Sequence, residues 1–448
     1  MFTLAEASAL LREGKLSSVE ITQACLANID RLNLALNAFI AVTADLAMKQ
    51  ARAADADTAA GTWRGPLHGI PVALKDLIDV AGVPTTAASR QLQGHIANRD
   101  AEVVARLRQQ GAVILGKTNL HEFAFGGSGV ISAYGPARNP WDTSRITGGS
   151  SSGSAAAVAS GMCFAALGTD TAGSVRIPAA LCGIVGHRPS RNVCRLDGVI
   201  PLRKSFDTVG PITRTVEDAR ILLRTLSDEL PLPAAERDIR QLRVGVARDG
   251  FCDGLDPEVA AGFQQAEQVL RRLVSELRDV AIEVDIRWTD FDEEILEYHQ
   301  PFLERSPELY EPGTLVRVQD CAAISTAAYE AAKSALAAQR REAEKVFDHV
   351  DIVITPTCVV PAPLLSELKT MSARDLRVYE VNKLLRNTAP FSLLFWPSVS
   401  VPCGFTSSGL PIGLQISAPP GADELALAVA QAYELATAWH KRTPPIFA

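Results

Sequence analysis

The sequence lacks the features that mark membrane-spanning and exported proteins. Although 47% of its 448 residues are hydrophobic, it contains no uninterrupted apolar run of about 18 residues, close to the least that a membrane-spanning helix requires. Its first residues, Met-Phe-Thr-Leu-Ala-Glu-Ala, have no basic start and carry an acid at Glu6, unlike a secretory signal peptide. We therefore expect a cytoplasmic protein without a membrane partner.

Cysteine motifs and a strong charge of one sign are also missing. The eight cysteines stand far apart and never in a Cys-x-x-Cys pair, so we expect buried, reduced thiols rather than disulfides or a metal site. The formal net charge is −7, and the basic residues form no arm or stripe. This distribution argues against nucleic acid as a partner.

Clustered metal ligands are missing as well. The seven histidines stand far apart, and His121-Glu122 is followed by Phe-Ala-Phe instead of the second histidine that a zinc-binding helix places one turn later. We expect neither a metal ion nor any other cofactor.

Short apolar runs that alternate with helical patterns are the main organising feature. Segments with helical spacing, such as 101–110, 151–161 and 215–227, separate these runs. The alternation predicts an α/β architecture in which helices cover a large parallel or mixed sheet. The predicted strands lie at 70–74, 112–115, 164–167, 244–247, 351–355, 398–403 and 411–417.

We expect one domain over residues 1–448, with the sheet assembled from both halves of the chain. A polar, proline-bearing link is predicted at 228–241, and strand patterns return late, so the middle section is expected beside or over the site. The predicted regions are N-terminal helices at 1–65, a core at 66–228, a variable helix-rich insertion at 240–346 and a return to the sheet at 347–448.

A turn rich in glycine and serine, Gly148-Gly-Ser-Ser-Ser-Gly-Ser154, lies inside the most apolar third of the chain. A flexible linker is the ordinary meaning of such a composition. Linkers fall where composition changes, however, and here Ala155-Ala-Ala-Val-Ala follows at once as a strong helical start. Because a turn that opens a helix presents amides and hydroxyls at one point, we expect this turn to be functional.

A second turn of small residues lies in Gly168-Thr-Asp-Thr-Ala-Gly-Ser174-Val-Arg-Ile-Pro178, between a predicted strand and a helix predicted from about Arg176. A tight turn exposes a hydroxyl beside the backbone amides that receive an oxyanion. Ser174 is therefore the candidate nucleophile, with a helix cap as the alternative. Asp170 and Arg176 are expected to pair and hold the turn. The candidate oxyanion donors are the amides of Thr171, Ala172, Gly173 and Ser174.

A third segment, Gly69-Ile-Pro-Val-Ala-Leu-Lys75-Asp, ends an apolar strand in a lysine. Lysines at such positions usually extend to solvent, and that is the alternative here. A buried, neutral lysine is a strong base, but lowering its pKa from ~10.4 to ~7 costs about 4–5 kcal/mol of solvation. Such a cost is typical of a functional site.

One further pattern, Gly111-Ala-Val-Ile-Leu-Gly116-Lys-Thr118, matches the nucleotide-binding sequence Gly-x4-Gly-Lys-Thr. In a phosphate loop the four middle residues form a turn after a strand, whereas here they are themselves a predicted strand. Nucleotide binding is therefore not expected, and Lys117 is interpreted as a polar residue just past the strand.

At their spacing, these segments resemble the amidase-signature family. The resemblance depends on the serine-rich turn, the interval from Ser150 to Ser174 and the strand that ends in Lys75. It covers nearly the whole chain, most strongly at 66–215 and least at 240–345. Further matching segments are Gly116-Lys-Thr-Asn119, Tyr134-Gly-Pro136, Asn139-Pro-Trp141 and Leu410-Pro-Ile-Gly-Leu-Gln415.

The resemblance implies a large mixed β-sheet covered by helices on both faces and a Ser–cis-Ser–Lys triad. Ser174 would attack the amide carbonyl, Ser150 would carry the proton, and neutral Lys75 would accept it. Ser151 would support this network by hydrogen bonding, and a homodimer is one option for assembly. The segment implied to line the acyl pocket contains Phe125, Gly126 and Gly127.

Three residues depart from the usual pattern of the family. Leu77 stands for a common asparagine, Ala172 for a glycine and His187 for an apolar residue. The β-carbon of Ala172 restricts the backbone beside the expected oxyanion amides, and the other two departures bear on the pocket.

The sequence therefore predicts an amidase that hydrolyses a small carboxamide to a carboxylic acid and ammonia. The alternative is the glutamine-hydrolysing A subunit of a tRNA-dependent amidotransferase, a partner-dependent enzyme that residues 17–40 and 99–145 also resemble. The divergent middle section and the departures near the site favour the free-standing amidase. A catalytically inactive binding protein is the third hypothesis, and the intact triad argues against it.

Overall fold

The computed structural model describes residues 2–227, 238–285 and 288–447 and places one large β-sheet at the centre of the chain. Apolar, β-branched runs bounded by turns form most of its strands, as expected for a sheet buried on both faces. Over the described ranges the strands are β1 Phe39–Val42, β2 Pro71–Lys75, β3 Val113–Thr118, β4 Arg138–Asn139, β5 Asp142–Ile146, β6 Ala165–Asp170, β7 Val185–Arg188, β8 Thr208–Thr213, β9 Arg243–Ala247, β10 Glu276–Val280, β11 Ile352–Pro356, β12 Ser398–Phe405 and β13 Pro411–Ser417.

The sheet is mixed and takes its strands from both halves of the chain. Its eleven described strands follow the order β1-β3-β2-β6-β8-β7-β12-β13-β11-β9-β10, and β4 pairs separately with β5. β2 runs parallel to both neighbours, β3 and β6, and β9 runs parallel to β10 and β11. Between these two groups of parallel strands, the neighbours from β6 to β11 pair in antiparallel fashion.

Helices connect the strands, and several begin at sequence signals for a helix start. Ser17 and Glu20 form a capping box ahead of the second helix. No helix within the described ranges combines the length and the apolar character that a membrane span needs. The α-helices of these ranges are α1 Leu4–Arg12, α2 Ser18–Leu36, α3 Ala44–Ala59, α4 Glu102–Gln109, α5 Ser152–Ala159, α6 Arg176–Cys182, α7 Val216–Leu226, α8 Pro257–Leu270, α9 Glu293–Arg305, α10 Pro312–Asp320, α11 Thr326–Glu344, α12 Leu365–Lys369, α13 Ala373–Tyr379, α14 Ala389–Leu393 and α15 Asp423–Leu435.

Alternate residues of the central strands belong to two different apolar cores. Leu74 of β2 and Ile114 of β3 pack with α1, α4, α7 and α15, whereas Ala73 and Leu115 pack with α3, α5 and α6. Because successive side chains of a strand point to opposite faces, these cores lie on opposite sides of the sheet. The predicted α/β fold, a mixed sheet with helices on both faces, is confirmed.

The seven strands predicted from apolar runs are all present, each within a few residues. The strands that were not predicted have weaker patterns: β8 contains Gly210 and Pro211, and β10 is a polar strand, Glu-Leu-Arg-Asp-Val, at the sheet edge. β1 lies inside the section 1–65, where the sequence predicted helices and no strand. A short edge strand carries too few buried positions to show a period of two.

The helix-rich section at 240–346 contains α8 to α11, but it also adds β9 and β10 to the main sheet. Most of the predicted link, residues 228–237, lies outside the described residues. The division of the chain into four regions stays a prediction.

Lys117 lies within β3 and not just past it, which corrects the interpretation from sequence. Its side chain is buried, and Nζ lies 2.8 Å from the Asp76 carboxylate and 2.8 Å from Thr85 Oγ1. A β-carbon at Gly116 would lie 2.1 Å from the backbone oxygen of Ala41, so glycine lets β1 approach β3. The close approach of β1 thus accounts for Gly116, and the buried pair with Asp76 accounts for Lys117.

Removing the buried cation at Lys117 should leave an uncompensated charge on Asp76. We expect Lys117→Met to lower the free energy of unfolding by about 3–5 kcal/mol, measured by chemical denaturation. Lys333→Met is the matched control, since the Lys333–Glu330 pair is exposed and should change stability by less than about 1 kcal/mol. Equal losses in the two variants would contradict this role of Lys117.

Candidate active site

Lys75 is the last residue of β2, which lies between β3 and β6, so its side chain is fully buried. Its Nζ lies 2.7 Å from Ser150 Oγ and 2.7 Å from Thr169 Oγ1. Burial lowers the pKa of Lys75 to about 7, although the carboxylates of Asp207 and Asp170 act in the opposite direction. A large fraction of the Lys75 amine is therefore uncharged near pH 7. The alternative that Lys75 extends to solvent is excluded, because its side chain is buried.

The glycine- and serine-rich turn precedes α5 and is tightly enclosed. The peptide bond between Gly149 and Ser150 is cis. A β-carbon on Gly149 would lie 2.7 Å from the backbone nitrogen of Gly129, so a larger residue does not fit. The backbone oxygen of Ser150 accepts a hydrogen bond from the His121 amide at 3.0 Å. The segment is thus a fixed part of the core and not a linker.

Ser174 lies on the turn between β6 and α6 and is 5% exposed. Its backbone oxygen accepts a hydrogen bond from the Ser151 amide at 3.2 Å, which joins this turn to the serine-rich one. The Ser151 hydroxyl donates to the backbone oxygen of Thr169 at 3.3 Å. Together with the contact between Lys75 and Ser150, these bonds bring the three residues of the predicted triad to one place.

Asp170 holds the turn through its carboxylate, which has no solvent exposure. The amides of Gly173 and Val175 donate to it at 2.8 and 3.1 Å, and Arg176 donates from two nitrogens at 3.0 Å each. Burial alone raises the pKa of Asp170, but Arg176 and Arg188 outweigh burial and hold this pKa well below its usual range. The pairing of Asp170 with Arg176 that the sequence predicts is present.

Arg176 extends this network to the C-terminal part of the chain. Its Nη1 lies 2.8 Å from Gln415 Oε1 in β13, and its Nη2 lies 2.7 Å from Ser392 Oγ in α14. Gln415 ends one of the segments that matched the family pattern. The guanidinium therefore ties the turn between β6 and α6 to β13 and α14.

The backbone of the turn offers fewer oxyanion donors than the sequence predicted. The Gly173 amide already donates to Asp170, so this candidate is not free to donate to an oxyanion. Among the described residues, none accepts a hydrogen bond from the amides of Thr171, Ala172 or Ser174. Ala172 keeps a negative φ, so its β-carbon is accommodated without backbone strain.

A cavity of about 460 Å³ opens beside Ser174. Phe125, Gly126 and Gly127 line it, and these are the residues that the resemblance implied for an acyl pocket. Thr171 and Ala172, on the turn between β6 and α6, line it as well.

The glycine in this wall is required by packing. A β-carbon on Gly126 would lie 2.1 Å from the His121 ring, so position 126 cannot carry a side chain. His121 itself is fully buried, and burial lowers the pKa of its imidazole to about 3.

Two of the departures from the family pattern lie away from this cavity. Leu77 is buried in an apolar cluster with Phe123, and His187 Nε2 lies 3.1 Å from the Asp423 carboxylate at the start of α15. Neither side chain lines the cavity. Both substitutions therefore concern packing of the core and not contact with a ligand.

Several residues around the site were not found from the sequence. Thr169 binds Lys75 and could have been noticed beside Asp170, but Arg203, Arg317 and Arg377 come from three separate segments with no motif. Over the described ranges, no cluster of three or more His, Cys, Asp or Glu residues could hold a metal ion, and the cysteines there are free thiols.

Known proteins resemble this chain over most of its length. A family model described as Amidase matches residues 20–291 and 307–427. The A subunit of glutamyl-tRNA(Gln) amidotransferase from Roseiflexus sp. (strain RS-1) is 37% identical over 99% of this chain and 98% of its own length.

Two solved structures resemble the chain over nearly its whole length. A 6-aminohexanoate cyclic dimer hydrolase is 30% identical, with a TM-score of 0.89 over 100% of this chain and 99% of its own. The A subunit of a glutamyl-tRNA(Gln) amidotransferase from Thermotoga maritima is 32% identical, with a TM-score of 0.77 over 99% of this chain and 95% of its own. With a matching family model and full-length relatives above 30% identity, the chain belongs to the amidase family.

Proposed function

We propose that the chain hydrolyses an amide bond through an acyl-enzyme on Ser174, with Ser150 and Lys75 as the proton relay. The observation that supports this most directly is the 2.7 Å contact between Lys75 Nζ and Ser150 Oγ in a fully buried setting. A lysine with a pKa of about 7 is a base matched to neutral pH.

In the proposed first step, Ser174 Oγ attacks the amide carbonyl carbon. Its proton passes to Ser150 while the Ser150 proton passes to Lys75, and the carbonyl oxygen gains the negative charge. When the carbon–nitrogen bond breaks, the relay returns a proton to the departing nitrogen. Water then attacks the acyl ester by the same relay, which releases the carboxylic acid and restores the Ser174 hydroxyl.

The oxyanion is assigned to the amides of Thr171, Ala172 and Ser174, since Gly173 donates to Asp170. Hydrogen bonds fix this stretch from both sides. The Thr171 hydroxyl donates to Asp207 at 2.5 Å, and the Thr388 hydroxyl donates to the backbone oxygen of Ala172 at 2.7 Å. Donors held in place before the reaction stabilise a developing charge without reorganisation.

Ser151, Asp170 and Arg176 are proposed to position the catalytic groups and to take no proton. Ser151 joins the two turns through its amide and hydroxyl. Asp170 and Arg176 form a paired, fully buried unit that shapes the nucleophile turn. The Asp170 carboxylate is not free to act as an acid or base, because Arg176 and Arg188 hold its pKa well below the usual range.

Two substrates fit this chemistry. Full-length relatives at 37% identity are amidotransferase A subunits, which favours glutamine hydrolysis with a partner subunit over the free-standing amidase expected from the sequence. The 6-aminohexanoate cyclic dimer hydrolase has a TM-score of 0.89, against 0.77 for the Thermotoga maritima A subunit, so the shared fold fits either substrate. In the amidotransferase role the chain would need protein partners that bind the tRNA.

Replacing the nucleophile should abolish turnover without unfolding the chain. We expect Ser174→Ala to lower kcat by about a thousand-fold or more, with an unchanged circular dichroism spectrum. Ser334→Ala, at an exposed position on α11, is the control and should keep full activity. Normal turnover by Ser174→Ala would refute the assignment of the nucleophile.

The neutral form of Lys75 should set the acid side of the pH profile. Because the pKa of Lys75 is about 7 and only the unprotonated amine accepts a proton, kcat/KM should rise with pH through about 7 and then level off. Lys75→Ala should collapse the rate and remove this limb. A wild-type profile that is flat from about pH 6 to about pH 9 would argue against a titrating lysine base.

Release of ammonia separates the two substrates. The purified chain is assayed alone with simple primary amides and with glutamine, and again with a candidate partner subunit. Release from simple amides by the chain alone identifies the free-standing amidase, and glutamine hydrolysis only with the partner identifies the amidotransferase. If no amide yields ammonia under either condition, the proposed activity is wrong.

A further inference from the structure

The backbone around Ser150 is held by a neighbouring segment, residues 121–128, which we call loop 121–128. The amide of His121 donates a hydrogen bond to the backbone oxygen of Ser150 at 3.0 Å, and the amide of Gly149 donates to the backbone oxygen of Gly127 at 2.7 Å. These bonds fix the backbone before and after the Ser150 side chain. A displacement of the loop would therefore move the Ser150 hydroxyl.

The backbone of loop 121–128 is irregular. Phe123 and Ala124 have φ angles of 50° and 59°, in the left-handed region that residues other than glycine seldom occupy. Internal hydrogen bonds run from the amides of Ala124, Phe125 and Gly126 to backbone oxygens of the same loop. Because a backbone of this kind persists only where its surroundings hold it, contacts from other elements decide where the end of the loop lies.

The carboxylate of Glu380 holds this end of the loop. The side chain is buried, and Oε1 accepts hydrogen bonds from the Ser128 amide at 3.1 Å and from the Ser128 hydroxyl at 2.5 Å. Oε2 accepts from Arg317 Nη1 at 2.8 Å, and the same nitrogen donates to the backbone oxygen of Phe125 at 2.5 Å. The ion pair thus fixes the loop on both sides of its two glycines.

Glu380 acts in this network as an ionised acceptor. Burial alone raises the pKa of Glu380, but Arg317 and the Ser128 hydroxyl outweigh burial, so this pKa lies below its usual value. His121 is neutral near pH 7, because burial lowers the pKa of its imidazole to about 3. Its Nδ1 lies 3.9 Å from Glu380 Oε1, too far for a hydrogen bond. The proton relay therefore has no acid or base here, and the contribution of Glu380 is one of geometry.

Glu380 is also the first residue of a π-helical segment, Glu380–Leu385, which follows α13. Val381, Asn382 and Leu385 of this segment line the cavity beside the proposed nucleophile, as Glu380 itself does. Segments of π-helix are rare and often lie at functional sites. One element thus forms part of the cavity wall and also holds the loop that supports the serine-rich turn.

We propose that Glu380 is a positioning residue for Ser150 and that it acts through loop 121–128. With Arg317 it fixes the loop, and the loop holds the Ser150 hydroxyl at 2.7 Å from Lys75 Nζ. The proposal rests on the proposed amide hydrolysis for its effect on rate, and the position of Ser150 can be tested apart from it.

Loss of this support should slow the proton relay more than it weakens substrate binding. A displacement of about 1 Å in a reacting group costs about a hundred-fold in rate. Amide hydrolysis uses the relay to accept the Ser174 proton and again to protonate the departing nitrogen. A p-nitrophenyl ester needs no proton on its leaving group, so its hydrolysis should fall less than that of an amide.

Ser128→Ala is the first variant, because Ser128 is not among the described residues that line the cavity. It removes the hydroxyl bond to Glu380 and keeps the amide bond. We expect kcat for a primary amide to fall about ten-fold, as for one lost hydrogen bond, with KM unchanged within about two-fold. Glu380→Gln also breaks the ion pair with Arg317 and should lower kcat about a hundred-fold. In both variants the ratio of amide to p-nitrophenyl ester hydrolysis should fall.

Ser398→Ala is the matched control. It also removes a buried hydroxyl, which lies 2.8 Å from Ser417 Oγ, and neither serine is among the cavity-lining residues of the described ranges. Its midpoint of thermal unfolding should fall about as much as that of Ser128→Ala, while kcat stays at the wild-type value. A wild-type kcat in Ser128→Ala, or an equal loss of amide and ester hydrolysis, would overturn the proposal.

Crystal structures of the variants decide the proposal independently of catalysis. The distance from Ser150 Oγ to Lys75 Nζ should lengthen by about 0.5 Å or more in Ser128→Ala and Glu380→Gln, and it should stay at 2.7 Å in Ser398→Ala. If Glu380→Gln does not fold, Ser128→Ala alone gives the answer. If the wild-type chain hydrolyses no amide but the hydroxyl is displaced, the amidase proposal fails and the positioning role stands. If the 2.7 Å contact is kept in Ser128→Ala, the positioning role is wrong whatever the activity.

Discussion

The carboxylate of Asp170 has no contact with solvent and accepts hydrogen bonds from two backbone amides and from Arg176. A buried carboxylate is tolerated only when it is fully paired, so the turn after β6 must wrap around it. Arg176 also binds Gln415 of β13, and Arg188 of β7 forms a second ion pair with Asp170, so both strands are fixed relative to the turn. The position of Ser174 therefore follows from one electrostatic requirement and not from the preferences of a local turn.

The same pairing explains how Lys75 can lose its proton. An unpaired carboxylate this close would hold the ammonium form, but two arginines neutralise Asp170. Lys75 Nζ contacts the hydroxyls of Ser150 and Thr169 at 2.7 Å and the backbone oxygen of Thr169 at 3.5 Å. A hydroxyl group forms a hydrogen bond with a neutral amine as well as with an ammonium group. These contacts therefore do not hold the proton on Lys75, and burial decides its pKa. The paired charges of Asp170, Arg176 and Arg188 are thus separate from the amine of Lys75, which has no ion-pair partner among the described residues.

The elements that could be predicted from the sequence are those whose pattern lies in consecutive residues. β2, β6 and the two small-residue turns show as apolar runs that stop at Lys75, Asp170 and glycine-rich stretches. β10 could not be predicted, because an edge strand with one buried side chain in five has no apolar run. The arginines of the cavity were missed for another reason: Arg203 and Arg377 meet only through the fold, and no local pattern records a contact between distant segments.

The hydrogen bond from Arg176 to Gln415 joins residues 239 positions apart. Contacts of such sequence separation form late, because the loop they close is long. During synthesis, the three residues of the proposed triad leave the ribosome long before Gln415 does. Gln415 then completes the network that holds the turn between β6 and α6. A chain that stops before Gln415 would thus carry Lys75, Ser150 and Ser174 without the residue that ties this turn to β13.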